Sequence, residues 1–119
     1  MFTLRTKQEE KFYQEWKKKN DPNYCPFCNR DLVRKEFQWW ILIENRFPYT
    51  TIADKHWLLA CKRHIKTIWE LTEQERAELQ SILYQVNSRE LDFDQISYNV
   101  PARQSIPFHF HLHLIKLRK

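Results

Sequence analysis

The chain has 119 residues, a net charge of +5 at pH 7, 15% aromatic residues including five Trp, and no Gly. That length suits a single domain that buries a core without disulfide staples, and no apolar run approaches the ~20 residues a membrane-spanning helix needs. The opening residues Met1 to Lys7 lack the apolar stretch of a secretory signal, and three cysteines fit a reducing compartment, so a cytoplasmic location is expected. The basic balance favours polyanions without choosing among nucleotides, nucleic acid and acidic headgroups.

In chain order, the first expected element is a helix from about Lys7 to Lys19. Glu9 and Glu10 sit early and Lys17, Lys18 and Lys19 late, matching the helix dipole. Phe12, Tyr13 and Trp16 mark its buried side. The Asn20-Asp21-Pro22-Asn23 stretch stops it, and Cys25-Pro26-Phe27-Cys28 follows in a turn. With no Gly available, turns must use Asn, Asp or Pro. Phe37 to Glu44, rich in aromatic and β-branched residues, reads as a central strand, and Trp57 to Cys61 as a second. Thr72-Glu73-Gln74-Glu75 is a helix start in which Thr72 caps and Glu75 reaches back. Leu79, Ile82, Leu83 and Val86 then fall on one helical face. Gln95 to Asn99 and His109 to Leu117 are the last two expected strands. Helices and strands in this order point to an α+β domain with a largely antiparallel sheet.

The chemistry concentrates at His109-Phe110-His111-Leu112-His113-Leu114-Ile115. On a strand these side chains alternate, so the three imidazoles share one face while Phe110, Leu112 and Leu114 enter the core. On a helix the same residues would spread around the axis. Outward polar positions are usually filled by Lys, Thr or Glu, whereas His is the residue tuned for catalysis and metal binding near neutral pH. Histidines at i and i+2 lie ~6.6 Å apart at Cα and can share an ion; His109 and His113, ~13 Å apart, do not both fit one. Elsewhere, Asn45 reads as a turn residue ahead of Pro48, and His56 as a polar residue opening a strand. Cys25 and Cys28 supply half of a tetrahedral metal site. Cys61 reads as a small buried residue.

The His-φ-His-φ-His-φ-φ pattern, with φ apolar, is fitted at every position from His109 to Ile115, and the chain resembles the histidine triad superfamily on these residues. The resemblance extends from about Cys25 to Ile115 and implies one domain over residues 1–119. That domain would have an N-terminal helical segment over 1–22, two main helices and about five strands. It implies a hydrolase or transferase of nucleotidyl groups, acting on nucleoside phosphoramidates or dinucleoside polyphosphates. His111 is then the nucleophile that forms a covalent nucleotidyl-histidine, and His113 donates to phosphoryl oxygens and the leaving group. A glutamine in place of His113 would resemble the uridylyltransferase branch; histidine resembles the hydrolase type. The three rings are expected to project together into a pocket open to a phosphate.

The resemblance also implies that Asn45 contacts the ribose and that His56 supports the nucleophile. The triad is preceded by Asn99-Val100-Pro101-Ala102-Arg103-Gln104-Ser105-Ile106-Pro107-Phe108. Asn99, Gln104 and Ser105 are the implied nucleotide contacts there, although the family's usual glycines are missing. In zinc-bearing relatives, the ligands that complete the cysteine pair correspond to His64 and His109. A closed structural zinc site of Cys25, Cys28, His64 and His109 is therefore implied, with 25–28 as the knuckle. A homodimer is implied by analogy only. The competing reading from a different class is a non-catalytic zinc domain that binds nucleotide or nucleic acid through its basic surface.

Overall fold

The computed structural model describes residues 5–19, 27, 30–100 and 109–118. The expectations for Cys25, Cys28, Gln104, Ser105 and the 20–23 stop lie outside them. Helix α1 (Lys7–Lys19) is followed by strands β1 (Val33–Glu36), β2 (Trp40–Glu44) and β3 (Ala53–Cys61), helix α2 (Glu73–Asn87), and strands β4 (Gln95–Ser97) and β5 (His111–Leu117). The strands form one sheet in the order β1-β2-β3-β5-β4, with every neighbouring pair antiparallel. An α+β domain with an antiparallel sheet of five strands is therefore what the chain adopts.

One face of the sheet packs on α2. Trp40, Leu42, Leu59, Cys61, Phe110, Leu112 and Leu114 meet Leu79, Ile82 and Val86 of the helix in one apolar cluster. The helix begins where its sequence says it should. Thr72 Oγ1 accepts from Glu75 N–H at 3.1 Å, and the Glu75 carboxylate accepts from Thr72 N–H at 2.8 Å, so two orphan donors are satisfied reciprocally. Glu75 is buried, and its carboxylate also takes both arms of Arg63 at 2.8 and 3.1 Å and the Cys61 thiol at 3.2 Å. These donors, the Arg63 fork foremost, hold its pKa down at about 2 although burial works against them. Cys61 is thus a buried core residue whose thiol is pushed up to about 11 by desolvation.

The helix ends at Ser88, and Arg89 beyond it takes φ 69°. A chain with glycine would ordinarily place it there. Arg89 offsets the strain with its side chain, donating to the Phe93 carbonyl at 3.0 Å and pairing with Asp94 at 3.1 Å.

Several expectations need correcting: the strand expected from Phe37 begins at Trp40, the one expected to reach Asn99 ends at Ser97, and three further points differ. Val33–Glu36 is a strand that hydropathy conceals, because three of its four residues are exposed at the sheet edge. The second strand begins at Ala53 rather than Trp57, since Lys55 and His56 pair with β5 despite their polarity, with Asp54 at a register shift between them and Ala53. Phe12, expected on the buried side of α1, is 58% exposed. The aromatic contact is made by Tyr13 and Trp16 instead, with both rings packed edge-on to Phe47 at 5.2 and 5.3 Å.

Candidate active site

The opposite face of the sheet carries the histidines. Residues paired across antiparallel strands share a face. Leu58↔His113 and Ala60↔His111 therefore put both imidazoles on the side of Ile41, Ile43, Leu58 and Ala60. His56, two residues before Leu58, points the same way and lies diagonally opposite His113. His109 falls just before β5 rather than on it. Its ring nevertheless stays with the others, packed on the same Phe27 ring as His111, while Phe110 N–H donates to the Ile65 carbonyl at 2.7 Å and anchors the approach to β5.

The hydrogen bonds fix the tautomers. The Tyr49 amide donates to His56 Nδ1 at 3.1 Å; an amide can only donate, so that nitrogen is the acceptor and the neutral ring carries its proton on Nε2. His56 Nε2 then donates to His113 Nδ1 at 2.8 Å, which leaves the proton of His113 on its Nε2. On the neighbouring ring, His111 Nδ1 lies 3.1 Å from the His109 carbonyl. A carbonyl only accepts, so His111 holds its proton on Nδ1 and presents a lone pair on Nε2. His109 donates from Nε2 to the Cys61 carbonyl at 2.5 Å, which leaves its Nδ1 as the lone-pair nitrogen.

Every ring in this row is neutral. Desolvation is the first cause throughout: it lowers His56 to about 4, His109 to about 4 and His113 to about 2, and it lowers His111 as well. The positive charge of Arg5 adds to the effect on His56 and His113. A buried imidazolium without a carboxylate beside it is costly.

The expectation of rings facing an open pocket is not met. His109, His111 and His113 are only 1%, 3% and 5% exposed. The physical reason is aromatic cover. Phe27 lies 4.8 Å from His109 and 5.0 Å from His111. Tyr49 lies parallel to His113 at 5.7 Å and 4.4 Å from His56.

The other candidate residues are distributed as follows. Asn45 is half-buried; its Oδ1 accepts from Phe47 N–H at 2.8 Å, and its amide nitrogen lies 3.3 Å from the His56 ring. It therefore shapes the loop that delivers Tyr49 and sits within the histidine cluster. Asn99 is exposed beyond β4. The His64 ring lies 4.4 Å from that of His109, tilted by 37°, so the two implied metal-binding imidazoles are adjacent. Among the described residues no three His, Cys, Asp or Glu side chains cluster as a metal site. Tyr49 and Arg5 were not legible as site residues: one follows a proline in a loop, the other precedes a helix, and neither sits in a motif.

Residues 10–119 match the family described as "Scavenger mRNA decapping enzyme C-term binding". Among solved structures, the chain is similar to a HIT family hydrolase from Legionella pneumophila Philadelphia 1. That pair is 24% identical with a TM-score of 0.58, over 81% of this chain and 95% of the other. It is also similar to a histidine triad protein from Clostridium difficile, at 20% identity and a TM-score of 0.54, over 73% and 78% of the two chains. No curated protein matches the chain. No helix among the described residues is long and apolar enough to cross a membrane.

Proposed function

Because the chain belongs to the histidine triad superfamily, through the decapping-enzyme family matched over residues 10–119, we propose that it is a nucleotidyl hydrolase or transferase acting through His111. The substrates are nucleoside phosphoramidates or dinucleoside polyphosphates. One observation carries this reading: the bond from His111 Nδ1 to the His109 carbonyl commits the ring to a single tautomer with an unprotonated Nε2. A neutral imidazole nitrogen of that kind is a competent nucleophile at pH 7.

His111 Nε2 attacks the α-phosphorus, an N–P bond forms, and the bond from phosphorus to the leaving group breaks. His113, whose remaining proton is on Nε2, donates to the departing atom. His56 Nε2 passes its proton to His113 Nδ1 along their bond, so the negative charge left by the donation rests on His56, where the Tyr49 amide donates to Nδ1. Water then attacks phosphorus, the N–P bond breaks, and the nucleotide leaves while the proton of water returns to the pair. Splitting one displacement into two lowers each barrier. Since the rings are buried, substrate enters when the Phe27 side chain moves off His111. Asn45, Asn99, Gln104 and Ser105 are the proposed nucleotide contacts.

A structural zinc ion held by Cys25, Cys28, His64 and His109 belongs to the same proposal. The two proposed ligands among the described residues support it. The His64 and His109 rings are adjacent, and His109 donates from Nε2 to a backbone carbonyl, the outer hydrogen bond that orients metal-binding imidazoles. Phe27, between the two cysteines in sequence, packs on His109. The ion would tie the 25–28 segment to the start of β5 and supply no catalytic water, since four protein ligands close the coordination sphere.

The test is turnover of the two substrate classes by wild type and His111→Ala, with nucleotide binding and zinc content measured beside it. Loss of turnover with binding and one zinc per chain retained is the expected result. A wild type that binds nucleotide without turning over either class would establish the non-catalytic reading instead.

A further inference from the structure

We propose that Arg5 is a positioning residue for the histidine relay, a cation clamped against Tyr13 and Tyr49 that faces the His56–His113 pair across the Tyr49 ring and favours its donor–acceptor order. The proposal deepens the reading of the triad as a nucleotidyl-transfer site and rests on it for the kinetic part alone.

The placement of Arg5 is built by the start of α1. Thr6 N–H donates to Glu9 Oε1 at 2.8 Å and Glu9 N–H to Thr6 Oγ1 at 3.0 Å, a reciprocal cap. The second carboxylate oxygen of Glu9 accepts from Thr50 N–H at 2.9 Å and Thr50 Oγ1 at 2.6 Å. One carboxylate thus ties the first turn of the helix to the residue after Tyr49. Desolvation pushes the Glu9 pKa up, but these bonds together outweigh it and hold the value at about 2, so the tie stands throughout the neutral range. Arg118 secures the same loop by donating to the Thr50 carbonyl at 2.9 Å. With both sides fixed, the Arg5 guanidinium lies 4.2 Å from the Tyr13 ring centroid and 5.5 Å from that of Tyr49. Its side chain is 12% exposed, and it pairs with Glu10 at 3.3 Å. Tyr49 in turn stacks on His113 and touches His56. Cation, phenol ring and imidazole pair follow one another in space.

The relay has one vulnerable state. If His113 takes a second proton, its Nδ1 becomes a donor and faces the Nε2–H of His56, so the 2.8 Å bond turns repulsive. A fixed cation nearby disfavours that state. Arg5 lowers the proton affinity of both rings, second to desolvation for His56 and behind His111 and His56 for His113. The charged and titratable groups around the pair are Arg5, His111, Glu9, Glu10, Tyr13 and Tyr49, and of these Glu9 opposes Arg5 at His56. Glu10 acts through its ion pair with Arg5. A guanidinium suits the task because it stays charged at every relevant pH and packs flat on aromatic faces.

The test uses the full chain with ring-nitrogen-labelled histidine, followed by NMR from about pH 8 to about pH 2.5 so that both limbs of the His56 titration are seen, in wild type, Arg5→Gln, Arg5→Lys and Glu10→Gln. In Arg5→Gln the His56 ring is expected to titrate at higher pH than in wild type. Arg5→Lys should restore the wild-type position, and Glu10→Gln should move it lower. The acid limb of the kcat–pH profile should move with the ring in Arg5→Gln. His56 titrating at the same pH in wild type and Arg5→Gln would overturn the proposal. Should Arg5→Gln lose its dispersed spectrum, the comparison passes to Glu10→Gln, where an unmoved ring is the contradicting result. Shifted rings in a protein without turnover would overturn the catalytic reading and leave the electrostatic role of Arg5 standing.

Discussion

His56 donates from Nε2 to Nδ1 of His113 across 2.8 Å, and the Tyr49 amide on the far side of His56 sets the direction of that bond. A backbone N–H cannot reverse its polarity, so the proton order along the row is written into the main chain. His113→Ala removes the terminal donor and is expected to lower kcat by about 10²- to 10⁴-fold. The loss should be largest for substrates whose leaving group must be protonated. His56→Ala leaves His113 in place but unfixed, and about 10- to 100-fold is expected, the scale for a supporting partner. Steady-state kinetics on paired good and poor leaving groups checks both.

Stability should fall in acid in two stages. In the folded chain His56 protonates at about 4 and His113 at about 2, against an ordinary value of 6.5. Between those values the unfolded chain binds more protons, so stability present above about pH 6.5 declines as pH drops through 4. Glu75, held at about 2 against 4.5, is the opposite kind of group with the same sign. Its carboxylate contribution is present above about 4.5 and is lost as pH falls toward 2. Thermal midpoints should therefore be level above neutrality and begin to fall near pH 6.5. His56→Gln should make the upper stage shallower without abolishing it, because His109, His111 and His113 are lowered too, and should leave the Glu75 stage unchanged.

Much of this was readable beforehand, and the reasons differ by element. The triad strand was legible because alternation of His with Phe, Leu and Leu has only one compact reading, and α2 because Thr72 and Glu75 form a local cap. Strand β1 was hidden by Val33-Arg34-Lys35-Glu36, whose polarity reflects an edge position that only the assembled sheet defines. The burial of the triad was hidden too: Phe27 and Tyr49 reach the rings from distant parts of the chain, and no local pattern announces that. Arg5 belongs to the same class, since its meaning comes from what α1 is clamped to.

The Gly-free turn after α2 gives a test of backbone cost. Arg89 at φ 69° sits in a region that disfavours a side chain by about 1 kcal/mol, and its bonds to Phe93 and Asp94 offset part of this. Arg89→Ala keeps the strain and loses the bonds, whereas Arg89→Gly loses both. The glycine variant is expected to be more stable than the alanine variant by about 1 kcal/mol. Urea denaturation of the pair measures it; equal stabilities would show that the turn relaxes.

The most direct test of the covalent role of His111 is mass spectrometry of the protein quenched during turnover of a nucleoside phosphoramidate, with conditions kept mild enough to spare an acid-labile N–P bond. One nucleotide attached to the peptide containing His111, absent in His111→Ala, is the expected result. Full turnover by His111→Ala, or a nucleotide trapped on any other residue, would contradict it.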